Sequence, residues 1–329
     1  MIFDGIDLPR SGTKAEFKAW QKRDVNPLGR TSRMRTLHTP NEAMKYLHDR
    51  LVINLRRIKA VDLTSAASKP GGSALRNVLR HRHNRYFYLT DISSAFDSVD
   101  SHRLAAVLAG LDTQVRESEV YAFLRQFCMT EQGGLITGSP SSPDLFNIYC
   151  AVLMDGQMRE YCLRHEVTYS RYLDDLTFSS KQVIGARKRE KIRELISLSG
   201  LRIGHHKSRV LDLKKHRIEI NGIGLEYGGR VYLPRWYLYK IRGLMHVAER
   251  SEDPKLLQRV HGMIGLLQAS TDASRPRNRL ETKVFSEYAQ LRHQTRKKPF
   301  IPPPQGRAPI GIQTGDPWGS LDDDDDVPF

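Results

Sequence analysis

At 329 residues the chain exceeds the roughly 250–300 at which a single hydrophobic core stops growing, which implies an elaborated domain or two to three subdomains and excludes a disulfide-stapled mini-scaffold. Its 52 Lys and Arg face 37 Asp and Glu; six of those acids, Asp316 and the five at 322–326, follow position 315 with no cation among them, so residues 1–315 carry 52 against 31, or +21. An excess of that size is the footprint of a polyanionic partner, because neutralising phosphates releases condensed counterions.

Residues 1 to 40 are polar and basic (Lys22, Arg23, Arg30, Arg33, Arg35), are broken by Asn26-Pro27 and Gly29, and read as an arm or loosely packed leading segment. From 41 to 57 the residues Met44, Leu47, Leu51 and Leu55 recur at three- and four-residue steps, predicting an amphipathic helix. Lys69-Pro70-Gly71-Gly72-Ser73 is a strong turn. The run 86–92 reads as a buried strand, and Asp100 or Ser101 is placed to cap a helix through Leu108. Ser142-Pro143 opens a further helix, with Leu145, Ile148, Tyr149, Val152 and Leu153 inward. Segments 167–172 and 176–179 form a hairpin around Leu173-Asp174-Asp175, and a basic helix from about Ala186 stops at Gly200. Strands are expected at 201–203 and 217–223, and Gly228-Gly229 turns the chain into another at 231–233. The pattern is helical from Trp236 to about His293. Beyond Lys298, Pro302-Pro303-Pro304 and the Asp run make a tail too poor in apolar residues to offset its ordering entropy, so disorder is expected there.

The order strand, helices, hairpin, helix, strand is the split β-α-β-β-α-β plan, an α+β fold whose antiparallel sheet is backed by helices on one face and open on the other. The cysteines Cys128, Cys150 and Cys162 are odd in number and lack a Cys-x-x-Cys spacing, which argues for core thiols in a reducing cytoplasm and against a zinc site. No apolar run approaches the ~18 residues of a membrane span, and no signal pattern opens the chain, so neither membrane insertion nor export is expected.

Asp91 closes the strand Tyr88-Leu89-Thr90-Asp91, where an acid must cap, pair or bind a cation. Asp174 and Asp175 sit at the hairpin tip. Each alone reads as structural, but together three carboxylates converging on one sheet edge supply the hard oxygens that hold Mg²⁺ along with substrate phosphates.

These residues carry a resemblance. Asp91-Ile92-Ser93-Ser94-Ala95-Phe96, Gly138-Ser139-Pro140-Ser141-Ser142-Pro143, Tyr172-Leu173-Asp174-Asp175 and the lysine-bearing stretch 200–207 stand in the order of four motifs of bacterial reverse transcriptases, and in pattern the chain is similar to the retron-type or a related defence-associated group over roughly residues 40–250. The resemblance implies a right-hand polymerase with arm and fingers at 1–85, palm at 86–230, helical thumb at 231–295 and tail at 296–329. It implies an RNA-directed DNA polymerase with two Mg²⁺, or Mn²⁺, held by Asp91, Asp174, Asp175 and the carbonyl of Ile92. It places Phe96 beneath the sugar, where a ring excludes a 2′-hydroxyl, Lys207 beside the pyrophosphate, Thr137, Gly138, Ser142 and Pro143 around the nucleotide and template, and Lys69 and Arg76 near the triphosphate. Thr137 stands where the family usually has Gln, and Ile220-Asn221-Gly222 where retron enzymes carry Val-Thr-Gly. The implied partners are a structured non-coding RNA template, its DNA product, deoxynucleotides and an effector protein. An RNA-dependent RNA polymerase on the same palm and an RNA-binding scaffold are the alternatives. The segment 231–240 interleaves aromatic and basic residues in a way that can track a nucleic-acid backbone.

Overall fold

A computed structural model describes residues 2–6, 16–25, 32–58, 65–69, 71–204, 208–251, 253–271 and 277–297. Residues 16–25 and 32–40 are more ordered than the sequence suggests. β1 (Phe17–Val25) and β2 (Ser32–Pro40) pair antiparallel along their full length, from Phe17 opposite Pro40 to Val25 opposite Ser32. Lys18, Ala19, Trp20, Gln21 and Arg23 in one strand and Met34, Arg35 and Thr36 in the other are exposed. Both faces of the ribbon are thus wet, and the apolar alternation that marks a half-buried strand is missing. Ile2 is buried: its N–H donates to Asp112 Oδ2 at 2.7 Å and its carbonyl accepts from Asn54 Nδ2 at 3.0 Å.

α1 (Glu42–Leu55) is capped by Asn41, whose side chain accepts the Met44 N–H at 3.0 Å, and it buries the expected stripe. α2 (Ala74–His81), capped by Ser73, has no counterpart among the expected elements because it is too short to display a period. β3 (Tyr86–Asp91), α3 (Ser101–Leu111, capped by Asp100) and α4 (Glu117–Phe127) follow. α5 (Ser142–Cys150) then runs into a π-helical turn, Ala151–Asp155, ahead of α6 (Gly156–Arg164). That turn corrects the expected apolar face. Leu145, Ile148 and Tyr149 are buried, but Val152 is exposed and Leu153 half-buried, because the wider π winding shifts the face and brings Met154 and Asp155 inward.

β4 (Thr168–Tyr172) and β5 (Asp175–Ser180) form the hairpin, and α7 (Ala186–Leu198) ends before Gly200. The strand expected at 201–203 is reduced to one bridge, Ile203 opposite Ile92; the fourth strand of the sheet is β6 (Arg209–Asp212). The sheet order is β4-β5-β3-β6, every pairing antiparallel. Tyr88, Leu176 and Phe178 join one core with Leu104 and Leu108 of α3, Phe146 and Tyr149 of α5 and Ile192 and Ile196 of α7. Burying each such side chain contributes roughly 1.5–3 kcal/mol, so this face sets the register of the sheet. The opposite face is partly covered: His81 of α2 meets Ser179 Oγ of β5 and Ser170 Oγ of β4, each at 2.7 Å.

The chain divides after His216 into two compact units, ahead of the palm boundary expected at 230. The second unit opens on a three-stranded sheet of β7 (Ile218–Ile220), β8 (Ile223–Leu225) and β9 (Val231–Tyr232). The single strand expected at 217–223 is a hairpin instead, because Asn221 and Gly222 take φ of +49° and +76° in the tight turn this dipeptide favours. α8 (Arg235–Arg250), α9 (Pro254–Ser270) and α10 (Arg279–Lys297) complete the unit, and Arg242 of α8 forks onto Glu287 of α10 at 2.8 and 2.9 Å. Of the aromatics at 231–240, Tyr237 is buried while Trp236 and Tyr239 are exposed. The Pro-rich and acidic tail lies outside the described residues.

Candidate active site

Asp91, the last residue of β3, lies directly opposite Asp175, the first of β5. Opposed residues of an antiparallel pair share a face, with Cβ atoms about 4.5–5.5 Å apart. Both carboxylates therefore stand on the side turned away from Tyr88, Leu176 and Phe178. Asp174 occupies the turn between β4 and β5, and its carbonyl accepts the Ile92 N–H at 2.9 Å, which fastens the hairpin tip to the end of β3. Its neighbour Leu173 has φ +54°, a conformation that costs a non-glycine residue about 1–2 kcal/mol and is held here by Arg171 Nη1, donating to the Leu173 carbonyl at 3.1 Å. Asp91 is buried, Asp174 half-buried and Asp175 exposed.

Gly204, inside the stretch 200–207 but not singled out there, completes this edge. Its N–H donates to the Asp91 carbonyl at 2.9 Å, and a Cβ at this position would stand 2.5 Å from Asp91 Oδ1 and 3.1 Å from Cγ. Gly204→Ala is therefore expected to displace the Asp91 carboxylate and lower nucleotide incorporation by about tenfold or more, with a melting temperature close to wild type. Unchanged turnover would show that the carboxylate swings aside freely.

The donors gathered here are carboxylate and carbonyl oxygens, the hard set that suits Mg²⁺. Among the described residues no three His, Cys, Asp or Glu side chains form a ready-made cation site. Mg²⁺ commonly takes only one or two carboxylates and completes its shell with water and substrate phosphates, so the pair across β3 and β5 fits it.

The second group of expected site residues surrounds the start of α5. The Thr137 carbonyl accepts the His38 N–H at 2.9 Å, and Gly138, at φ +99°, packs so close to β2 that a Cβ would lie 2.5 Å from the His38 carbonyl oxygen. Ser142 Oγ donates to the Ile136 carbonyl at 2.7 Å, and Pro143 occupies the first turn of α5. Behind them the buried His48 meets Ser141 Oγ at 2.7 Å, Ser139 Oγ at 3.1 Å and the Phe127 carbonyl at 3.0 Å. Phe96 is half-buried and meets Phe146 of α5 edge-on, centroids 5.7 Å apart.

Lys69 is half-buried at the glycine turn, while Arg76 is exposed and donates to the Gly71 carbonyl at 2.6 Å. Burial and then the charge of Arg80 push Lys69 below its ordinary value; burial and then Arg76 do the same to Arg80. Arg80 thus stands close enough to both Lys69 and Arg76 for its charge to repel each. The segment holding Lys69 is tied to the hairpin, since the Ala66 N–H donates to the Arg171 carbonyl at 2.8 Å. Lys207, with His205 and His206, lies outside the described residues.

The sequence profile of the family "Reverse transcriptase (RNA-dependent DNA polymerase)" matches residues 20–225. The chain belongs to the reverse transcriptase family. Retron Ec83 reverse transcriptase of Escherichia coli is 26% identical over 216 residues, 63% of this chain and 69% of that relative. Retron Ec86 reverse transcriptase of Escherichia coli is 27% identical over 225 residues, 68% of each chain. Among solved structures, a telomerase from Candida tropicalis in complex with a fragment of telomeric RNA aligns over 85% of this chain and 55% of its own, at TM-score 0.47 and 11% identity. This reverse transcriptase is an RNA-directed DNA polymerase, and dependence on a divalent metal is general to its family. No helix among the described residues is long and apolar enough to cross a membrane.

Proposed function

We propose that this reverse transcriptase copies a structured non-coding RNA into DNA as a retron-type enzyme, with Asp91, Asp174, Asp175 and the Ile92 carbonyl as ligands of two Mg²⁺. The reading is carried by the register that sets Asp91 opposite Asp175 while the Ile92 N–H holds the Asp174 carbonyl. When bound, such ions lower the pKa of the primer hydroxyl and balance charge on the leaving pyrophosphate. Asp91 and Asp175 stand opposite each other on one face of β3 and β5. Lys69, Arg76 and Arg80 receive the triphosphate, whose charge relieves the repulsion of Arg80 with Lys69 and with Arg76. Lys207 neutralises the pyrophosphate, a role that rests on its motif alone. Thr137, Gly138 and Pro143 line the nucleotide and template, on a loop braced by His38 and His48; Ser142, expected among them, is fully buried and its hydroxyl holds the Ile136 carbonyl, so its part is to fix that loop.

The first unit serves as fingers and palm, and the helices of the second as the thumb. An effector protein is a further proposed partner, and the cytoplasm the proposed location. The experiment is to sequence the nucleic acid that copurifies with the protein. RNA joined covalently to DNA supports the retron assignment, and RNA without attached DNA from an active preparation contradicts it.

Phe96 is assigned to the sugar. Phe96→Ala is expected to raise ribonucleotide use relative to deoxynucleotide use, because removing the ring admits a 2′-hydroxyl. The ratio of the two efficiencies, in wild type and in a folded variant, decides between this role and simple packing on Phe146; an unchanged ratio returns Phe96 to packing.

A further inference from the structure

An ion pair lies in the core between α5 and the hairpin, and the reaction described above makes no use of it. The Arg171 side chain is fully buried and that of Asp155, at the end of the π turn, is 3% exposed. Arg171 Nη2 reaches Asp155 Oδ2 at 2.7 Å, and Nε lies 3.2 Å from both carboxylate oxygens. The remaining donors go elsewhere: Nη1 to Asn147 Oδ1 at 2.8 Å and to the Leu173 carbonyl at 3.1 Å, and Nη2 to the Asn147 carbonyl at 3.4 Å. Asn147 Nδ2 in turn donates to the Ala67 carbonyl at 2.9 Å, and Ser65 Oγ donates to Asn147 Oδ1 at 3.1 Å.

Stability alone does not account for this pair, since removing two charges from water offsets their attraction and a packed apolar pair is often as stable. A planar guanidinium does what an apolar side chain cannot, fixing several acceptors in one plane. Here those acceptors belong to the π turn, the hairpin turn beside Asp174, and α5, through which the plane reaches the segment 65–69 that carries Lys69. We infer that Arg171 is a positioning residue that holds the turn of Leu173 and Asp174 in register with the Lys69 segment, so that metal-binding carboxylate and phosphate-binding cation face one nucleotide. The inference rests on the assignment of Asp174 to the metal.

Two variants test it, Arg171→Met/Asp155→Leu and Arg171→Lys, alongside wild type and Asp174→Ala. The readouts are melting temperature, kcat, KM for deoxynucleotide, and Mn²⁺ affinity by calorimetry without substrate. The apolar pair is expected to melt within about 5 °C of wild type, with kcat lowered and deoxynucleotide KM raised about tenfold each, and Mn²⁺ bound severalfold more weakly. Arg171→Lys keeps a charge beside Asp155 but loses the fork, so the same kinetic and Mn²⁺ defects are expected; it decides the matter if the apolar pair does not fold. A folded variant with wild-type kcat, KM and Mn²⁺ affinity overturns the inference. Full activity in Asp174→Ala instead overturns the metal assignment beneath it.

Discussion

Asp174→Ala is expected to lower RNA-templated deoxynucleotide incorporation by about 10³-fold or more, because a lost metal ligand removes several kcal/mol of transition-state charge stabilisation and each ~1.4 kcal/mol is a decade of rate. The fold is expected to survive. What Asp174 contributes to the hairpin is its backbone carbonyl, which accepts the Ile92 N–H at 2.9 Å, and alanine retains that group. RNA affinity is expected to hold as well, since it draws on the +21 of residues 1–315 and not on a carboxylate. Single-turnover primer extension and filter binding on the same preparation separate the two properties. Activity above about a tenth of wild type contradicts the assignment.

Acid is expected to destabilise the protein steeply. His48 and His81 are buried, and burial pushes them from an ordinary value of 6.5 to about 4 and about 3 respectively. Both are neutral when folded at pH 7, and each pairs with serine hydroxyls across the fold. Below pH 6.5 the unfolded chain binds two protons that the folded chain refuses, so unfolding free energy falls as pH falls. The slope attributable to the pair approaches ~2.7 kcal/mol per pH unit between 6.5 and about 4, below which only His81 still contributes. Against a typical total of about 5–15 kcal/mol, 1.5 pH units then removes a large fraction of the stability. Urea unfolding at pH 7.5, 6 and 5 measures the slope. His81→Gln should lower stability at pH 7.5 yet remove about half of this slope, and an unaltered slope would reject His81 as its source.

The placement of Asp91 at a strand end and of Asp174 and Asp175 at a hairpin tip was legible in the sequence, and the register puts Asp91 opposite Asp175. The hairpin itself was legible from the apolar residues flanking that tip, α1 from its stripe and α3 from its cap at Asp100. What escaped depends on register or on contacts distant in sequence. The β1 and β2 ribbon carries no apolar alternation. The π turn adds no distinctive residue, yet it exposes Val152 and buries Asp155. Arg171 meets Asp155 only once the hairpin lies against α5, and His48 reaches Ser139 and Ser141 from the far side of β3 in the chain. Gly204 reads as an ordinary loop glycine until the Asp91 carboxylate is seen beside it.

The most direct measurement is primer extension by the purified full chain on a defined RNA template, with the four deoxynucleotides and Mg²⁺, against matched reactions with ribonucleotides or a chelator. The expected product is DNA complementary to the RNA, abolished by the chelator and by Asp174→Ala, and formed far less well from ribonucleotides. A folded preparation that binds the primed RNA but extends it with neither Mg²⁺ nor Mn²⁺, or that extends it only with ribonucleotides, contradicts an RNA-directed DNA polymerase.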